Sequence, residues 1–165
     1  MTDNIVKADA KHEVAKDFRS VVTNLESQLK EMADGKDIVA GTNDKPIVTN
    51  SQVVPIEQFF LEGVYVRKMT MYEGCTVIGA IHKHLHMCFL TEGSIVVADE
   101  LGTTTYIAPC HVIATPGIKR VLHAIEDSVW YNIHKNPTNT EDIKSIEDST
   151  VAISYEEYEE YIKNK

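Results

Sequence analysis

Apolar residues return along this chain with two different periods. Between residues 9 and 33, Val14, Phe18, Val21, Val22, Leu25, Leu29 and Met32 recur at steps of three and four, and Gly35 follows as a stop. That spacing predicts an amphipathic helix. Its stripe is narrow, close to a heptad seam, so it either lies on its own chain or pairs with another subunit. Docking within the chain is the plainer expectation. Residues 36–50, with Gly41, Asn43, Asp44 and Pro46, read as a polar linker. From Gln52 the period shortens. Extended runs at Val53-Val54, 59–61, 64–71, 76–81, 87–90, 94–98, 103–107, 112–114, 120–125 and 128–134 are separated by turn signals. Those signals are Glu73-Gly74, Glu92-Gly93, Leu101-Gly102, Pro116-Gly117 and Glu126-Asp127. Short strands at even spacing with no helical pattern between them predict an antiparallel barrel or jelly roll, whose mouth holds one small ligand. Beyond His134 the chain leaves the strands through Asn136-Pro137 and turns acidic. Ser154-Tyr155-Glu156-Glu157 has capping-box form and opens a short helix over 155–162. The expected organisation is a helix and linker in 1–50, a barrel in 51–135, and an acidic extension with a short helix in 136–165.

Composition narrows the function classes. The chain has 165 residues, 43% of them hydrophobic and 25% charged, enough for one globular core. Its formal net charge of -9 argues against nucleic-acid binding, since phosphate contacts need clustered Lys and Arg. No apolar run approaches a membrane span, and Met-Thr-Asp-Asn lacks the basic and apolar regions of a signal peptide. The expected setting is cytoplasmic. Cys75, Cys88 and Cys110, odd in number and without a CxxC spacing, read as reduced core thiols.

The candidate chemistry is concentrated in one stretch, Gly79 to Gly93. His82, His84 and His86 alternate there before the apolar run Met87-Cys88-Phe89-Leu90. In an extended backbone alternate side chains share a face, so these imidazoles can converge. Neutral imidazoles ligate divalent metals and also carry protons near neutral pH. His84 falls in the expected turn and reads as solvent-facing, as do His12 and His111 elsewhere. Nucleophilic catalysis has little support: no Ser stands in a GxSxG elbow, and nothing marks Cys88 as a thiolate.

Between Gly63 and His134 the chain resembles a cupin, the small jelly-roll barrel superfamily. The first cupin motif runs from a Gly through HxH to a Glu, then to a Gly after a strand; the second is PxG, two residues, then His. Counting back from Gly93, His86 takes the place of the family's Glu, His82 that of its second His, and Ala80 that of its first. Pro116-Gly117 forms the turn of the second motif, and Arg120 falls on the family's third His. The runs Val66-Arg67-Lys68, Ile81-His82-Lys83, Ala108-Pro109-Cys110, Glu126-Asp127-Ser128-Val129-Trp130 and Ile133-His134, with Ser154-Tyr155-Glu156-Glu157-Tyr158, further resemble small cupin-like proteins of tailed phages. The resemblance covers about the last two thirds of the chain. It implies a mainly β, cupin-type antiparallel jelly-roll barrel with an amphipathic helix before it and a short helix after it, and a phage origin.

His82 and His86 are the best inward-facing pair, and Arg120 beside them changes what they can bind. A permanent guanidinium repels a cation, whereas beside imidazoles it receives carboxylate or phosphate oxygens. The expected ligand set is therefore His82, His86, Arg120 and His134 around a small anionic molecule. His123, given a bulged strand, or His134 from the next strand would revive the alternative, a zinc, iron or manganese site with His82 and His86, with His123 as the expected third ligand. The matching functions are a small-molecule binding protein, a metal-dependent enzyme of oxygenase, isomerase or lyase type, and a virion or assembly scaffold. A homodimer or higher oligomer is expected, with the Phe18, Val21, Leu25, Leu29 stripe as an added seam.

Overall fold

The computed structural model describes residues 2–41 and 51–165, with side chains from residue 15 onward. Val14 and His12 thus lie outside the described side chains, and Asn43, Asp44 and Pro46 of the linker lie outside the described residues. A long helix, α1 (Thr2–Glu31), precedes the strands β1 (Ile56–Leu61), β2 (Gly63–Met71), β3 (Thr76–Ile78), β4 (Ile81–His82) and β5 (His86–Glu92). They continue through β6 (Ser94–Asp99), β7 (Gly102–Ile107), β8 (Cys110–Ala114), β9 (Val121–Ala124) and β10 (Ser128–Asn136). The chain closes with α2 (Ile143–Thr150), β11 (Val151–Ala152) and α3 (Tyr155–Lys163).

The strands form a five-stranded sheet ordered β1-β2-β10-β5-β8, a four-stranded sheet ordered β3-β9-β6-β7, and the pair β11-β4. Every pairing is antiparallel. The two larger sheets face each other across a core of Met69, Met71, Leu90, Ile95, Val97, Leu122, Ala124 and Trp130, as alternation along a half-buried strand requires. The turn glycines have a structural reason. Gly93 sits at φ +78°, and a Cβ there would come within 2.3 Å of the Ser128 hydroxyl. Gly117, at φ +81°, accepts the Tyr158 ring of α3 where a Cβ would stand 2.7 Å from it.

Two expected strands are redrawn. Val53-Val54 is a turn, closed by the Val54 amide donating to the Ser51 hydroxyl at 2.8 Å. The run 76–81 splits at Gly79-Ala80, because β3 pairs with β9 whereas β4 pairs with β11. Gly79 lets the chain cross between sheets: its amide donates to the Arg120 carbonyl at 2.8 Å.

The N-terminal helix docks on its own chain through part of its stripe, with Phe18 and Leu29 half-buried. Val22 is buried, whereas Val21 is 66% exposed. Polar contacts hold the rest. Lys119, itself buried, donates to Glu26 at 2.7 Å, and Arg19 pairs with the buried Glu100 at 3.1 Å while lying over the Tyr155 ring. Ser154 caps α3 by accepting from the Glu157 amide, as its capping-box form predicts. The Glu157 carboxylate reaches back one residue further, to the Ile153 amide, and also takes a hydrogen bond from Lys83. The helix α2 and the strand β11 have no counterpart in the sequence reading. Asp142 caps α2 by accepting from the Ser145 amide. No described helix is long and apolar enough to cross a membrane.

Candidate metal centre

The inner face of the five-stranded sheet changes polarity along its strands. Met69 on β2, Trp130 on β10 and Leu90 on β5 form one cross-strand row, and Arg67, Asn132 and Cys88 form the next. The row after that brings Tyr65 opposite His134, and His86 follows by alternation on β5. Asn132 marks the boundary: its side-chain oxygen accepts from the Trp130 indole N–H and from the Cys88 thiol, each at 3.2 Å. Burial raises the Cys88 thiol to about 12, so it stays protonated.

Beyond that boundary three imidazoles meet. His82 is held by β4, His86 by the start of β5 and His134 by β10. The ring centroids of His82 and His86 are 4.1 Å apart, those of His86 and His134 4.4 Å, and those of His82 and His134 5.1 Å. One nitrogen from each lies within 4.8 Å of the others. His86 Nδ1–H donates to the His84 carbonyl at 3.3 Å, which leaves its Nε2 with a lone pair. That Nε2 and His82 Nδ1 are both buried and have no hydrogen-bond partner. Orphaned polar atoms inside a protein are costly unless something binds them.

All three rings are neutral at pH 7. Burial is the main cause throughout: it holds His82 well below the usual imidazole range, lowers His86, and brings His134 to about 3, with the neighbouring charged forms opposing protonation of His82 and His134 further. Neutral imidazoles with converging lone pairs are what a divalent transition metal requires. The donor set therefore fits such an ion, which would be held by His82, His86 and His134 and would supply a Lewis-acidic positive charge to the cavity.

Around the triad lies a cavity of about 710 Å³. Arg67 lines it from β2 and Arg120 from the connection just before β9, together with Tyr65, Trp130 and Glu147. Arg120 stands 3.7 Å from the Asp99 carboxylate and Arg67 stands 4.0 Å from that of Glu147. Both guanidiniums oppose protonation of His82. The C-terminal segment closes one side of the cavity. Its β11 pairs Val151 with His82, the buried Lys83 ammonium donates to the Asp148 carbonyl at 2.9 Å, and a ring nitrogen of His84 lies 3.1 Å from the Ser149 carbonyl.

The structure thus brings His82, His86 and His134 together and puts Arg120 on the same cavity wall. It does not bring in His123. That residue projects from the outer face of β9, exposed, with its ring 2.8 Å from the Thr76 hydroxyl, because β9 runs without the bulge that would turn it inward. His84 is half-buried against Ser149 and stays outside the triad. His111 is exposed beside Phe89. Arg67 and Glu147 were not among the sequence candidates. Arg67 had a signal, since Tyr65, Arg67, Met69 and Met71 share one parity on β2. Glu147 had none, because only the docking of α2 turns it toward the cavity.

Strand order, turns and site together define a mainly β, cupin-type antiparallel barrel with a helix at either end and a buried three-histidine cluster. No family model matches the chain, and no curated protein matches it. Solved structures do. The structure of KdgF from Halomonas sp. is 12% identical, with a TM-score of 0.45 over 50% of this chain and 78% of that one. A RmlC-like cupin from Shewanella frigidimarina is 12% identical, with a TM-score of 0.45 over 55% and 79%. A cupin 2 conserved barrel domain protein from Leptotrichia buccalis is 10% identical, with a TM-score of 0.47 over 56% and 45%.

Proposed function

We propose that the protein binds a divalent transition metal through His82, His86 and His134 and uses the remaining cavity to hold a small anionic molecule. The observation that carries this reading is the pair of orphaned buried nitrogens, His82 Nδ1 and His86 Nε2, in a cluster where one nitrogen each of His82, His86 and His134 lies within 4.8 Å of the others. A histidine cluster kept only for packing would give those atoms a hydrogen-bond partner. Arg67 and Arg120 supply the anion-binding charge, and the apolar walls around Met69, Val77 and Leu122 suit the body of a small organic ligand. Three protein ligands leave coordination positions open, which suits a ligand that touches the metal and a guanidinium at once.

The experiment is metal analysis of protein purified without chelator, followed by titration of the stripped protein with zinc, iron(II) and manganese(II). One equivalent of one of these ions is expected, and it should be lost in His82→Ala and in His134→Ala. A second reading has its own support in the two guanidiniums, whose charge disfavours a cation nearby. In that case the pocket is a metal-free anion receptor. Stripped protein would then take up no ion, and Arg120→Ala, in place of the histidine variants, would abolish binding of a carboxylate or phosphate ligand.

A further inference from the structure

The three imidazoles are not carried by one rigid body. His86 and His134 stand on β5 and β10, which are neighbours in the five-stranded sheet. His82 stands on β4, which belongs to neither large sheet. Among the described residues its strand partner is β11, two residues long, with Val151 opposite His82 and Ala152 opposite Ile81. The C-terminal segment also grips the residues that follow His82. The Lys83 amide donates to the Thr150 carbonyl at 2.8 Å, and the buried Lys83 ammonium donates to the Asp148 carbonyl at 2.9 Å and to Glu157 at 3.1 Å. A ring nitrogen of His84 lies 3.1 Å from the Ser149 carbonyl. The His82 carbonyl accepts from the Gly117 amide at 3.0 Å, and the Tyr158 ring of α3 packs on that same glycine. Ile146, Val151 and Ala152 are buried and anchor the segment. A pair of two-residue strands has little stability of its own, so the place of His82 depends on how firmly this segment is docked.

We propose that the C-terminal segment, from Asp142 to Lys163, is the positioning element of the metal centre: it holds His82 against His86 and His134, and a bound metal in turn holds the segment docked. This rests on the metal-binding reading above. No residue of the segment has to touch the ion. Glu147, its carboxylate on the cavity, stands 4.0 Å from Arg67 and outside the cluster of mutually close ligand atoms. Coupling between two binding equilibria is reciprocal: the factor by which docking tightens metal binding is the factor by which metal tightens docking.

The test is zinc titration of the stripped full chain carrying Ala152→Pro or Lys83→Met. The first adds a ring at a fully buried position of β11 and removes its amide. The second leaves β4 in place and removes the hydrogen bonds of the ammonium to the segment. Each should weaken zinc binding about 10–100-fold, the range for groups that orient a metal ligand. Loss of a positive charge at Lys83 would by itself favour a nearby cation, so weaker binding there reports position. The visible spectrum of bound cobalt(II), which reports the number and arrangement of its ligands, should change in both variants. It should be unchanged in Leu90→Ala, which disturbs the core alone. Hydrogen exchange of the natural chain supplies the reciprocal readout. With saturating zinc, peptides spanning 143–153 should exchange more slowly by about the factor that the variants lose in affinity, while those of β7, at the edge of the four-stranded sheet, keep their rate. Glu147→Gln should retain this slowing, because the coupling runs through β4. The proposal is overturned if folded Lys83→Met binds zinc as tightly as the natural chain with the same cobalt spectrum, if zinc leaves exchange in 143–153 unchanged, or if Glu147→Gln abolishes the slowing. A natural chain that takes up no zinc, iron(II) or manganese(II) would instead overturn the metal reading itself, and this inference with it.

Discussion

The two ends of the barrel interior are built from the same strands and do opposite things. Following β10 inward-facing residues from Ser128 to His134, the chain passes Trp130, then Asn132, then the imidazole, and β5 runs in the same sense through Leu90, Cys88 and His86. At one end Met71, Leu90 and Ile95 are fully buried in the packed core. At the other the side chains surround a cavity of about 710 Å³, which reaches the apolar side chains of Met69, Leu122 and Trp130 and whose polar atoms turn toward one another without satisfying one another. The difference shows how a barrel combines a stable core with a binding site: packing supplies rigidity at one end, and the strands carry that rigidity to the ligands at the other. Hydrogen bonding at Asn132 separates the two regimes, since its oxygen satisfies the only polar atom that Trp130 brings into the core.

The sharpest way to break this comparison is at the triad. His86→Ala should abolish stoichiometric metal binding, measured by titration of stripped protein, yet leave the melting temperature of that stripped protein unchanged or raised. The substitution removes a buried nitrogen that has no partner there.

Acidification should act next most strongly, and on the polar end alone. The triad's imidazoles have folded pKa values below their unfolded value of about 6.5. The unfolded chain therefore binds protons first as pH falls, so stability is full above about 6.5 and declines below it. For His134 the decline continues to a pH of about 3; integrated over that window, it costs roughly 5 kcal/mol at most. Urea melts of metal-free protein at pH 7 and pH 5 should show the loss, and His134→Gln should flatten it. A natural chain equally stable at both pH values would show that the triad is already charged or hydrated.

At the apolar end, Leu90→Ala should destabilise the protein by about 2–5 kcal/mol in urea melts, the cost of a buried cavity, while metal affinity stays within a few-fold of the natural chain. A large loss of affinity would mean that the two ends are mechanically one. The smallest effect is expected at the boundary. Asn132→Leu strands the Trp130 indole N–H and should cost about 1–3 kcal/mol, with Trp130 fluorescence reporting the changed surroundings.

What the residues determined by themselves is the periodic part. Turn signals at Glu73-Gly74, Glu92-Gly93 and Pro116-Gly117 and the alternation of β2, β5 and β10 were legible, because period and turn chemistry are local. So was Ser154 as a helix cap, and so was the convergence of His82 with His86, four residues apart around one corner. The rest depended on tertiary structure. His134 joins them only because β10 lies between β2 and β5, a neighbour relation that no local pattern encodes. Whether His123 faced in or out turned on the presence of a bulge, and a single residue of register inverts every side chain of a strand. The C-terminal segment was the least legible. The strand β11 is two residues long and exists by pairing with β4, and Glu147 reaches the cavity because α2 folds back over it. A side chain's neighbours in sequence fix its direction along a strand or helix; which other strand it meets is settled by the packing of the whole chain.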